Sequence, residues 1–600
     1  MQKHVHPAAN GPSVQEQSKL GFDFLKRWYQ LAKPFYVSKE SRVTAWAYTA
    51  LILGFLIGLT FLNVKLNGAV KGMYNGLASR NETLMMGFFW YAVGLFVFAL
   101  PVRIIQDFAN ETFALKWRIF TTMSFIRRWL ANWAFFHMND SKKIDNPDER
   151  IAVDVDHVTA GTIAFSAAVM AAILSLISFL PIMWSYNPWL VAAGLGYATF
   201  GTLFTRSLGL RLVGLNFVQR FVEGNLRTLL VAIKLNTLSI AMYQGEKQEI
   251  KRLENKFGAV INNTKSTIRR NVILTGVTKS YEYVNQLLPF WIIGPLVTAG
   301  ALEVGAVPSA SQAFGIVMGS LSLLISSFKV LADLAADVNR LYDLDTELRR
   351  YENVKPPANV HEIDEPRVEI RDATVVVPDI NKVLITNANL TVEPGERVQI
   401  VGRRGCGKSS LFRTVFGLWV SPTGEIFLPH RKRIVFVPQN NYIFEGTLRE
   451  VLLYPGLDRE VSDDELLELL KKLKLTDIIE RDGIIDMSLL DVEAKWQDIL
   501  SGGQQQSVGF FRLFLRNPDV VFLDEATSSL DEASQSLMYD LLIERKTTVI
   551  TVGHRPTLLV KHHKVYWVDG ITKSARTLTV DEYKRELAAD ASLAGDLAHE

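Results

Sequence analysis

Eight consecutive residues near the middle of the chain, Gly402 to Ser409, constrain it more than any other stretch. They read Gly-Arg-Arg-Gly-Cys-Gly-Lys-Ser and fit G-x-x-x-x-G-K-[ST], the pattern of a phosphate-binding loop. A buried strand is predicted before the loop at 398–401 and a helix after it at 410–416. The glycines let backbone N–H groups converge on one point, and the following helix adds its positive end there. The sequence therefore predicts a nucleotide phosphate site.

The side chains of this loop have distinct predicted roles. Lys408 can reach the β- and γ-phosphates, and the Ser409 hydroxyl can ligate Mg²⁺. Cys406 is the single cysteine, so an intrachain disulfide is excluded and the residue is interpreted as a small side chain filling a tight turn. The predicted nucleotide-contacting residues of the loop are Gly402, Arg403, Arg404, Gly405, Cys406, Gly407, Lys408, Ser409 and Ser410.

Apolar and charged residues are unevenly distributed along the 600 residues, of which 48% are hydrophobic and 21% charged. Runs long enough to span a bilayer fall in the first 335 residues, and the remainder has the pattern of a soluble α/β domain. The net charge is only +3, so nucleic acid is not a predicted partner. Residues 1–17 are polar and lack the apolar core of a signal peptide.

Six apolar runs, each near the ~20 residues that a bilayer core requires, predict a membrane domain. An aromatic- and lysine-rich piece at 18–36 precedes them and is predicted to lie along the cytoplasmic interface. Lys and Arg are plentiful in 1–43, 103–158 and 206–270, so the positive-inside rule places both termini in the cytoplasm. The predicted spans are 44–64, 84–105, 159–184, 188–208, 273–299 and 309–333.

The two long connections between spans are too long for simple turns, so we expect the membrane helices to continue into the cytoplasm. The first candidate docking element is 144–151, where an Asn-Pro pair interrupts the helical pattern, and the second bend is predicted near 224–238. In the fifth span, Lys279 and Glu282 could pair on one helix face. Because a charge facing lipid is costly, they either line the substrate route or sit at the cytoplasmic mouth with a structural role.

A charged, proline-bearing stretch at 340–366 is predicted to be the linker that precedes the soluble domain. Within that domain, five short elements follow the phosphate loop. They are a strand leading to Gln439, a serine-glycine turn that opens a helix, a strand ending in two carboxylates, a Ser-Ser-Leu-Asp stretch and a strand ending at His554. Their order and spacing resemble the nucleotide-binding domain of ABC ATPases over about 367–570. The resemblance implies binding and hydrolysis of ATP with Mg²⁺.

The same resemblance implies a role for each residue. Asp524 would hold Mg²⁺, with Ser409 and Gln439 nearby. Glu525 would orient or deprotonate the attacking water, and His554 would contact the γ-phosphate and stabilise charge there. Phosphoryl transfer depends mainly on positioning and electrostatic stabilisation, so these groups suffice.

The serine-glycine turn matches the family's signature sequence and implies a second subunit. The Ser501 hydroxyl and the amides of Gly502 and Gly503 would bind the γ-phosphate of ATP held by another copy, and Gln504 and Asp531 are grouped with these nucleotide contacts. Since the chain has one ATPase domain, the expected state is a homodimer of half-transporters. One departure concerns the adenine-stacking aromatic residue of the family, because the corresponding region reads Val-Val-Val-Pro at 375–378.

Further stretches resemble the SbmA/BacA-like bacterial transporters with a fused ATPase and, more distantly, the peroxisomal acyl-CoA transporters. These stretches are 116–118, 146–151, 240–245, 417–419, 436–439, 495–500 and 554–556. The bacterial resemblance implies uptake of hydrophilic solutes, such as vitamin B12 or antimicrobial peptides, through a large central cavity in the inner membrane, with the ATPase domain in the cytoplasm. Two alternatives remain, an exporter or flippase of lipids, acyl compounds or peptides with the same fold, and a regulatory ATPase that moves nothing. The six spans and the full catalytic set argue against the last.

The predicted fold is therefore multi-domain, with an all-α, six-helix transmembrane domain of exporter type and an α/β P-loop ABC ATPase domain. The predicted divisions are a cytoplasmic N-terminal segment with an interfacial helix at 1–43, the transmembrane domain at 44–339, the linker at 340–366 and the nucleotide-binding domain at 367–600.

Overall fold

The chain divides into two compact units, with the division between Asn353 and Val354. This point lies inside the predicted linker. As predicted, the first unit is helical and the second combines helices with mixed sheets. The computed structural model describes residues 22–141, 143–326, 328–352, 359–378, 380–553 and 555–589.

Helices form all the regular structure in the described part of the first unit. Several are much longer than the ~20 residues needed to cross a bilayer, so they extend well beyond its core. Their bounds are α1 Phe22–Val37, α2 Arg42–Ala78, α3 Glu82–Leu130, α4 Ala134–Ser141, α5 Pro147–Glu149, α6 Val155–Tyr186, α7 Pro188–Leu235, α8 Thr237–Met242, α9 Glu246–Thr298, α10 Ala306–Ser326 and α11 Phe328–Tyr351.

Three helical stretches among the described residues are long and apolar enough to cross a membrane, namely Arg42–Ala78, Glu82–Asp140 and Pro147–Tyr186. They contain the first three predicted spans. A shorter apolar stretch, Gln286–Thr298, falls within the fifth. The fourth predicted span begins α7, and the sixth runs along α10 into α11 through position 327, outside the described residues. The count of six spans therefore stays a prediction.

Both long connections contain short helices between two long ones, α4 and α5 in the first and α8 in the second. In the first, Asn146 has a φ of 42° and precedes α5, inside the candidate docking element. A π-helical turn, Arg150–Asp154, then leads into α6. In the second, α7 ends at Leu235 and the short helix α8 follows, so the reversal lies at the end of the predicted bend and just beyond it.

The π-helical turn after α5 is bonded to α11, the last helix of the first unit, which we call the membrane unit. Arg150, which is buried, donates from Nη1 to the carbonyl oxygen of Arg340 on α11 at 2.6 Å. Arg340 in turn pairs through Nε with Asp154 at 3.1 Å. Since both carboxylate and guanidinium are partly removed from water, these contacts fix where the connection reverses.

A buried polar network joins three helices of the membrane unit. Asn67 on α2 donates to the Ser309 carbonyl oxygen and to Oε1 of Gln312, both at 2.9 Å. The Ser309 hydroxyl donates to Oδ1 of Asn67 at 2.6 Å, and the Tyr186 hydroxyl donates to Ser309 Oγ at 2.9 Å. Asn67 is 3% exposed and Ser309 is fully buried. Because an unbonded polar group is costly in such surroundings, the network fixes the register of α2 against α10.

Two sheets organise the second unit. The six-stranded sheet has the order β14-β13-β4-β12-β11-β6 and is parallel except for β14. The other has the order β1-β5-β2-β3. The strands are β1 Val360–Ile363, β2 Val368–Val377, β3 Lys382–Val392, β4 Arg397–Val401, β5 Glu425–Pro429, β6 Ile434–Val437, β7 Glu445–Thr447, β8 Glu480–Arg481, β9 Ile484–Ile485, β10 Glu493–Lys495, β11 Val520–Asp524, β12 Thr548–Val552, β13 Lys564–Asp569 and β14 Ser574–Thr579.

Helices pack around the six-stranded sheet, and its central strands are buried on both faces. All five residues of β12 and the first four of β11 are buried, which explains why they read as continuous apolar runs. Because parallel strands end at one edge of a sheet, the loops after β4, β6, β11 and β12 meet there. The helices are α12 Lys408–Val415, α13 Leu448–Leu453, α14 Asp463–Lys472, α15 Trp496–Ile499, α16 Gly502–Arg516, α17 Glu532–Glu544, α18 Pro556–Leu559 and α19 Val580–Ala589.

Candidate functional site

The phosphate loop occupies the turn between β4 and α12, as the sequence predicted, and its glycines are required by its shape. Gly402 has a φ of 154°, and a β-carbon there would lie 2.3 Å from the carbonyl oxygen of Val568. Gly407, with a φ of 110°, precedes the first helical residue. Any larger residue at Gly402 would therefore displace either the loop or the neighbouring strand β13.

Lys408 is held at the centre of the loop by the loop's own backbone. Its side chain is 7% exposed, and its Nζ donates to the carbonyl oxygens of Gly402 at 2.7 Å and Arg403 at 3.2 Å. A buried ammonium is stable only when its donors are satisfied. The charge is thus positioned beside the N-terminus of α12, where an anion is favoured.

Cys406 fills the turn, in agreement with the prediction from its size. Its Sγ lies 2.9 Å from the place where a Gly402 β-carbon would be. Burial raises the pKa of the Cys406 thiol above its usual value. Because the thiolate is the reactive form, this cysteine is a poor nucleophile at neutral pH.

Ser409 and Asp524 are in contact, and so are Gln439 and Glu525. The Ser409 hydroxyl donates to Oδ1 of Asp524 at 3.0 Å, and Nε2 of Gln439 donates to Oε2 of Glu525 at 2.8 Å. Burial raises the pKa of Asp524, the Ser409 hydrogen bond opposes that rise, and the charge of Glu525 adds to it. The structure therefore brings together four of the residues that the sequence assigned to catalysis and metal binding.

Glu525 has a left-handed backbone conformation, with a φ of 49°. Its N–H donates to the carbonyl oxygen of Val552, the last residue of β12, at 3.0 Å. Few residues other than glycine adopt this conformation, so the hydrogen bond from the neighbouring strand holds a strained turn in place. No sequence pattern predicted this backbone conformation.

Three more of the residues predicted to contact nucleotide differ in how exposed they are to solvent. Arg404 and Gly405 are exposed, and Ser410 is half-buried on α12. His554, assigned to the γ-phosphate, lies outside the described residues, so its role stays a prediction.

Comparisons with known proteins agree with this geometry. The family model for ABC transporter transmembrane region 2 matches residues 34–297, and the ABC transporter model matches residues 385–528. An uncharacterized ABC transporter ATP-binding protein of Synechocystis is 33% identical over 557 residues, which cover 89% of this chain and 82% of the relative. The chain belongs to the ABC transporters. It is a membrane-embedded half-transporter that binds and hydrolyses ATP.

Two further ABC transporters resemble the chain over nearly its whole length. The inner membrane ABC transporter ATP-binding protein YddA of Escherichia coli is 28% identical over 553 residues, covering 89% of this chain and 95% of the relative. The lysosomal cobalamin transporter ABCD4 of Homo sapiens is 25% identical over 596 residues, covering 93% of this chain and 97% of the relative.

The signature turn of this ABC transporter caps helix α16. Ser501 Oγ accepts the N–H of Gln504 at 3.3 Å, and Gln504 Oε1 accepts the N–H of Ser501 at 2.8 Å. This reciprocal pair is a capping box. Gln504 also donates to Asp477 at 2.6 Å, while the Ser501 and Gly502 residues are exposed. The turn therefore presents a helix N-terminus to its surroundings, as an anion-binding role requires.

Asp531 caps a second helix. Its Oδ1 accepts the N–H of Ser534 at 2.6 Å, at the start of α17. The backbone N–H of Ser534 lowers the pKa of the Asp531 carboxyl. Within the described structure Asp531 thus has a capping role, and its predicted contact with nucleotide stays a prediction.

Two polar residues near the site were not singled out from the sequence. Gln506 is buried on α16 and bonds to the loops that carry Gln439 and Glu525. Asn441 donates to the backbone of α16. The run of three glutamines in the signature does not itself show which side chain is buried. Only the helical periodicity counted from Ser501 could have identified Gln506 as the buried one.

Two other predictions have different outcomes. Val375 is fully buried in the core of the four-stranded sheet, so it cannot stack on a base, in line with the predicted departure at 375–378.

Lys279 lies exposed on α9, and the side chain of Glu282 lies outside the described residues. The proposed pairing of these two charges therefore stays a prediction.

Proposed function

We propose that two copies of the chain form an ATP-driven importer of hydrophilic solutes, of the cobalamin or peptide type, with a large central cavity. The observation that carries this proposal is the similarity to a relative named as a cobalamin transporter, which extends over 93% of this chain and 97% of that protein. This similarity extends over both units, so it includes the helices that would line a cavity. A match confined to the second unit, which carries the ATPase, would leave those helices out.

The homodimer is supported by the exposed signature turn. Ser501 and Gly502 are exposed and stand at the N-terminus of a 15-residue helix. Such an end attracts anions through its free N–H groups and its dipole. The γ-phosphate of ATP bound to the phosphate loop of a second copy is the proposed ligand. Each copy would then supply one half of both ATP sites.

The proposed residues also suit Mg²⁺. The Ser409 hydroxyl, the Asp524 carboxylate and the Gln439 amide oxygen are hard oxygen donors, which Mg²⁺ prefers. The contact between Ser409 and Asp524 places two of them together. When bound with ATP, the ion would neutralise charge on the phosphates.

The roles of the protein groups follow from their positions. Lys408 would exchange the carbonyl oxygens of its own loop for phosphate oxygens and neutralise their charge. Glu525 would accept a hydrogen bond from the attacking water and orient it, and Gln439 would hold the Glu525 carboxylate in that orientation. His554 is proposed to stabilise charge at the γ-phosphate.

We place the transporter in the inner membrane, with its ATPase unit in the cytoplasm. The Escherichia coli relative is named as an inner membrane protein, and Lys and Arg are concentrated in the connections assigned to the cytoplasm. Import then means movement of cargo toward the side that carries the ATPase unit.

The test is ATP-driven flux in proteoliposomes. External ATP and Mg²⁺ energise only the molecules whose ATPase unit faces outward, because ATP does not cross the bilayer. Radiolabelled cobalamin, a hydrophilic peptide or a long-chain acyl-CoA is supplied inside the vesicles in one set and outside them in another, and each set is compared with vesicles that carry the Glu525→Gln variant. Loss of cobalamin or peptide from the lumen supports the proposal. Accumulation of cargo in the lumen, or movement of acyl-CoA alone, overturns it and favours an exporter or flippase.

A further inference from the structure

The three consecutive glutamines of the signature helix, Gln504, Gln505 and Gln506, have different surroundings. Gln504 and Gln505 are half-buried, whereas Gln506 is 5% exposed. A glutamine amide has two acceptor sites and two donors, and each is costly to bury without a partner. The partners of Gln506 therefore indicate which parts of the domain it holds together.

The Gln506 amide reaches the two loops that carry the catalytic glutamine and glutamate. Its Oε1 accepts the N–H of Ser529 at 2.7 Å, and its Nε2 donates to Ser528 Oγ at 2.9 Å. The same Nε2 lies 3.4 Å from the carbonyl oxygen of Gln439. Ser528 follows Glu525 in one tight turn, with the Ser528 N–H donating to the Glu525 carbonyl oxygen at 3.1 Å. One buried side chain thus contacts the backbone segments of both Gln439 and Glu525.

Asn441 strengthens the contact between the Gln439 loop and helix α16. Its Nδ2 donates to the carbonyl oxygen of Gln505 at 3.0 Å. A β-carbon at Gly509 would lie only 2.5 Å from the same nitrogen. The loop therefore lies directly against the helix, at a place where the helix carries no side chain.

Gln505 provides a matched comparison on the same helix. Its Nε2 donates to the carbonyl oxygens of Gln497 at 2.8 Å and Leu500 at 2.9 Å. Both acceptors belong to the segment just before the signature turn. Gln505 thus supports its own helix start, whereas Gln506 bonds to the loops beside the ATP site.

We propose that Gln506 is a positioning residue for ATP hydrolysis, which keeps the Gln439 and Glu525 loops at a fixed distance from the signature helix. The inference rests on the proposed roles of those two residues. Hydrolysis requires the water-orienting carboxylate within a fraction of an ångström of its productive place, and a displacement of about 1 Å can lower the rate by about 100-fold. ATP binding depends mainly on the phosphate loop, and within the described part of the chain the Gln506 side chain makes no hydrogen bond to that loop.

The proposal predicts that Gln506 affects turnover and leaves ATP affinity unchanged. In Gln506→Leu, which keeps the volume and removes both hydrogen-bonding functions, we expect the kcat for ATP to fall at least about 10-fold. The Kd for ATP, measured in the presence of EDTA to prevent hydrolysis, should stay within about twofold. Gln505→Leu is the control and should keep the kcat of the unchanged protein, because the partners of the Gln505 side chain lie away from the Gln439 and Glu525 loops and the substitution leaves the backbone carbonyl that Asn441 contacts in place.

A second variant keeps the test valid if Gln506→Leu does not fold. Ser528→Ala removes one acceptor of the Gln506 amide at an exposed position and should lower kcat by about two- to threefold without changing the Kd. An unchanged kcat in Gln506→Leu, or in Ser528→Ala where the first variant does not fold, overturns the proposal. So does an equal loss of kcat in Gln505→Leu. ATPase activity without cargo is the readout, so a failure of the cobalamin or peptide assignment would not affect the result.

Discussion

Nε2 of Gln439 and Oε2 of Glu525 lie 2.8 Å apart, and this hydrogen bond joins the ends of the adjacent strands β6 and β11. The amide donates to the carboxylate, so it restricts the orientation of the Glu525 side chain. The proposed water-orienting group is therefore held in place by a neighbouring loop. Its orientation depends on where that loop lies, which makes the loop a point at which hydrolysis can be controlled.

Glu525→Gln should prevent turnover while preserving ATP binding. The new amide oxygen can still accept from Gln439, so the geometry is kept and only the basic group is lost. We expect the rate of phosphate release to fall by about 100-fold or more, with ATP remaining bound after rapid gel filtration. Glu532→Gln, an exposed change at the start of α17, is the matched control. Hydrolysis by Glu525→Gln at the normal rate would disprove the role of Glu525.

Asp524→Asn should raise the thermal stability of the nucleotide-free protein and reduce its activity. The folded state raises the pKa of Asp524, so folding favours the protonated form and the carboxylate lowers the free energy of unfolding at neutral pH. The asparagine has no charge and can still accept from Ser409. We expect a higher Tm in EDTA, and a loss of the extra stability that Mg²⁺ adds in the presence of ATP. A lower Tm in EDTA would contradict the electrostatic cause.

Stability of the ATPase unit should fall as the pH is lowered, because of His562. Burial lowers the pKa of His562 to about 4 from the ordinary 6.5, so protonation favours the unfolded state. The contribution of the neutral ring is complete above pH 6.5 and is lost as the pH falls toward 4. The loss amounts to about 2 kcal/mol at pH 5.

The measurement for His562 is the Tm of the full chain in detergent between pH 7.5 and about pH 5. His562→Gln should have a lower Tm at neutral pH and a flatter dependence on pH. His430→Gln, a change at an exposed position, should keep the original slope. An equal slope in the His562 variant would show that another group is responsible.

Gly509→Ala should destabilise the ATPase unit through Asn441. The added methyl group would lie 2.5 Å from Nδ2 of Asn441, so this side chain must move and lose its hydrogen bond to the Gln505 carbonyl oxygen. We expect a cost of about 1–2 kcal/mol. In the double variant with Asn441→Ala, the steric cost of the methyl group should disappear. A double-mutant cycle of urea denaturation midpoints measures this coupling, and additive costs would contradict it.

Asn67→Leu should destabilise the membrane unit. The substitution removes two donors and one acceptor from the network around Ser309. Measured interhelical hydrogen bonds in membranes contribute about 0.6–2 kcal/mol, so we expect a loss in that range. Thermal unfolding of the detergent-solubilised protein is the measurement. An unchanged Tm in Asn67→Leu would argue against the network.

The sequence predicted well where the loop at 402–409 lies between its strand and helix, because the pattern is local. The eight residues from Gly402 to Ser409 are consecutive, so their spacing alone carries the pattern. The apolar strands β11 and β12 were equally clear, since burial on both faces leaves a continuous apolar run. The proximity of Ser409 and Asp524 was implied by the resemblance to ABC ATPases, and the structure places the two side chains in contact.

Features that depend on long-range packing were not predictable in the same way. The inward turn of Gln506 is set by the position of the Ser528–Ser529 segment, which is distant in the sequence. The reversal after α7 falls at the end of the predicted bend at 224–238, because the helix continues to Leu235. In the membrane unit, the role of Asn67 could not be predicted, because its partners Ser309 and Gln312 are distant in the sequence.

The left-handed backbone conformation of Glu525 determines the directions in which two neighbouring carboxylates leave the strand. Side chains that follow each other in a strand leave it on opposite faces, so two neighbouring acids at a strand end would normally diverge above and below the sheet. The turn instead spreads Asp524 and Glu525 sideways, one toward the loop after β4 and the other toward the loop after β6. The end of one strand, β11, therefore supplies a carboxylate on each of two sides of the proposed ATP site. The restriction on position 525 is consequently one of backbone shape as well as of charge, and β-branched residues are unsuited to it whatever their chemistry.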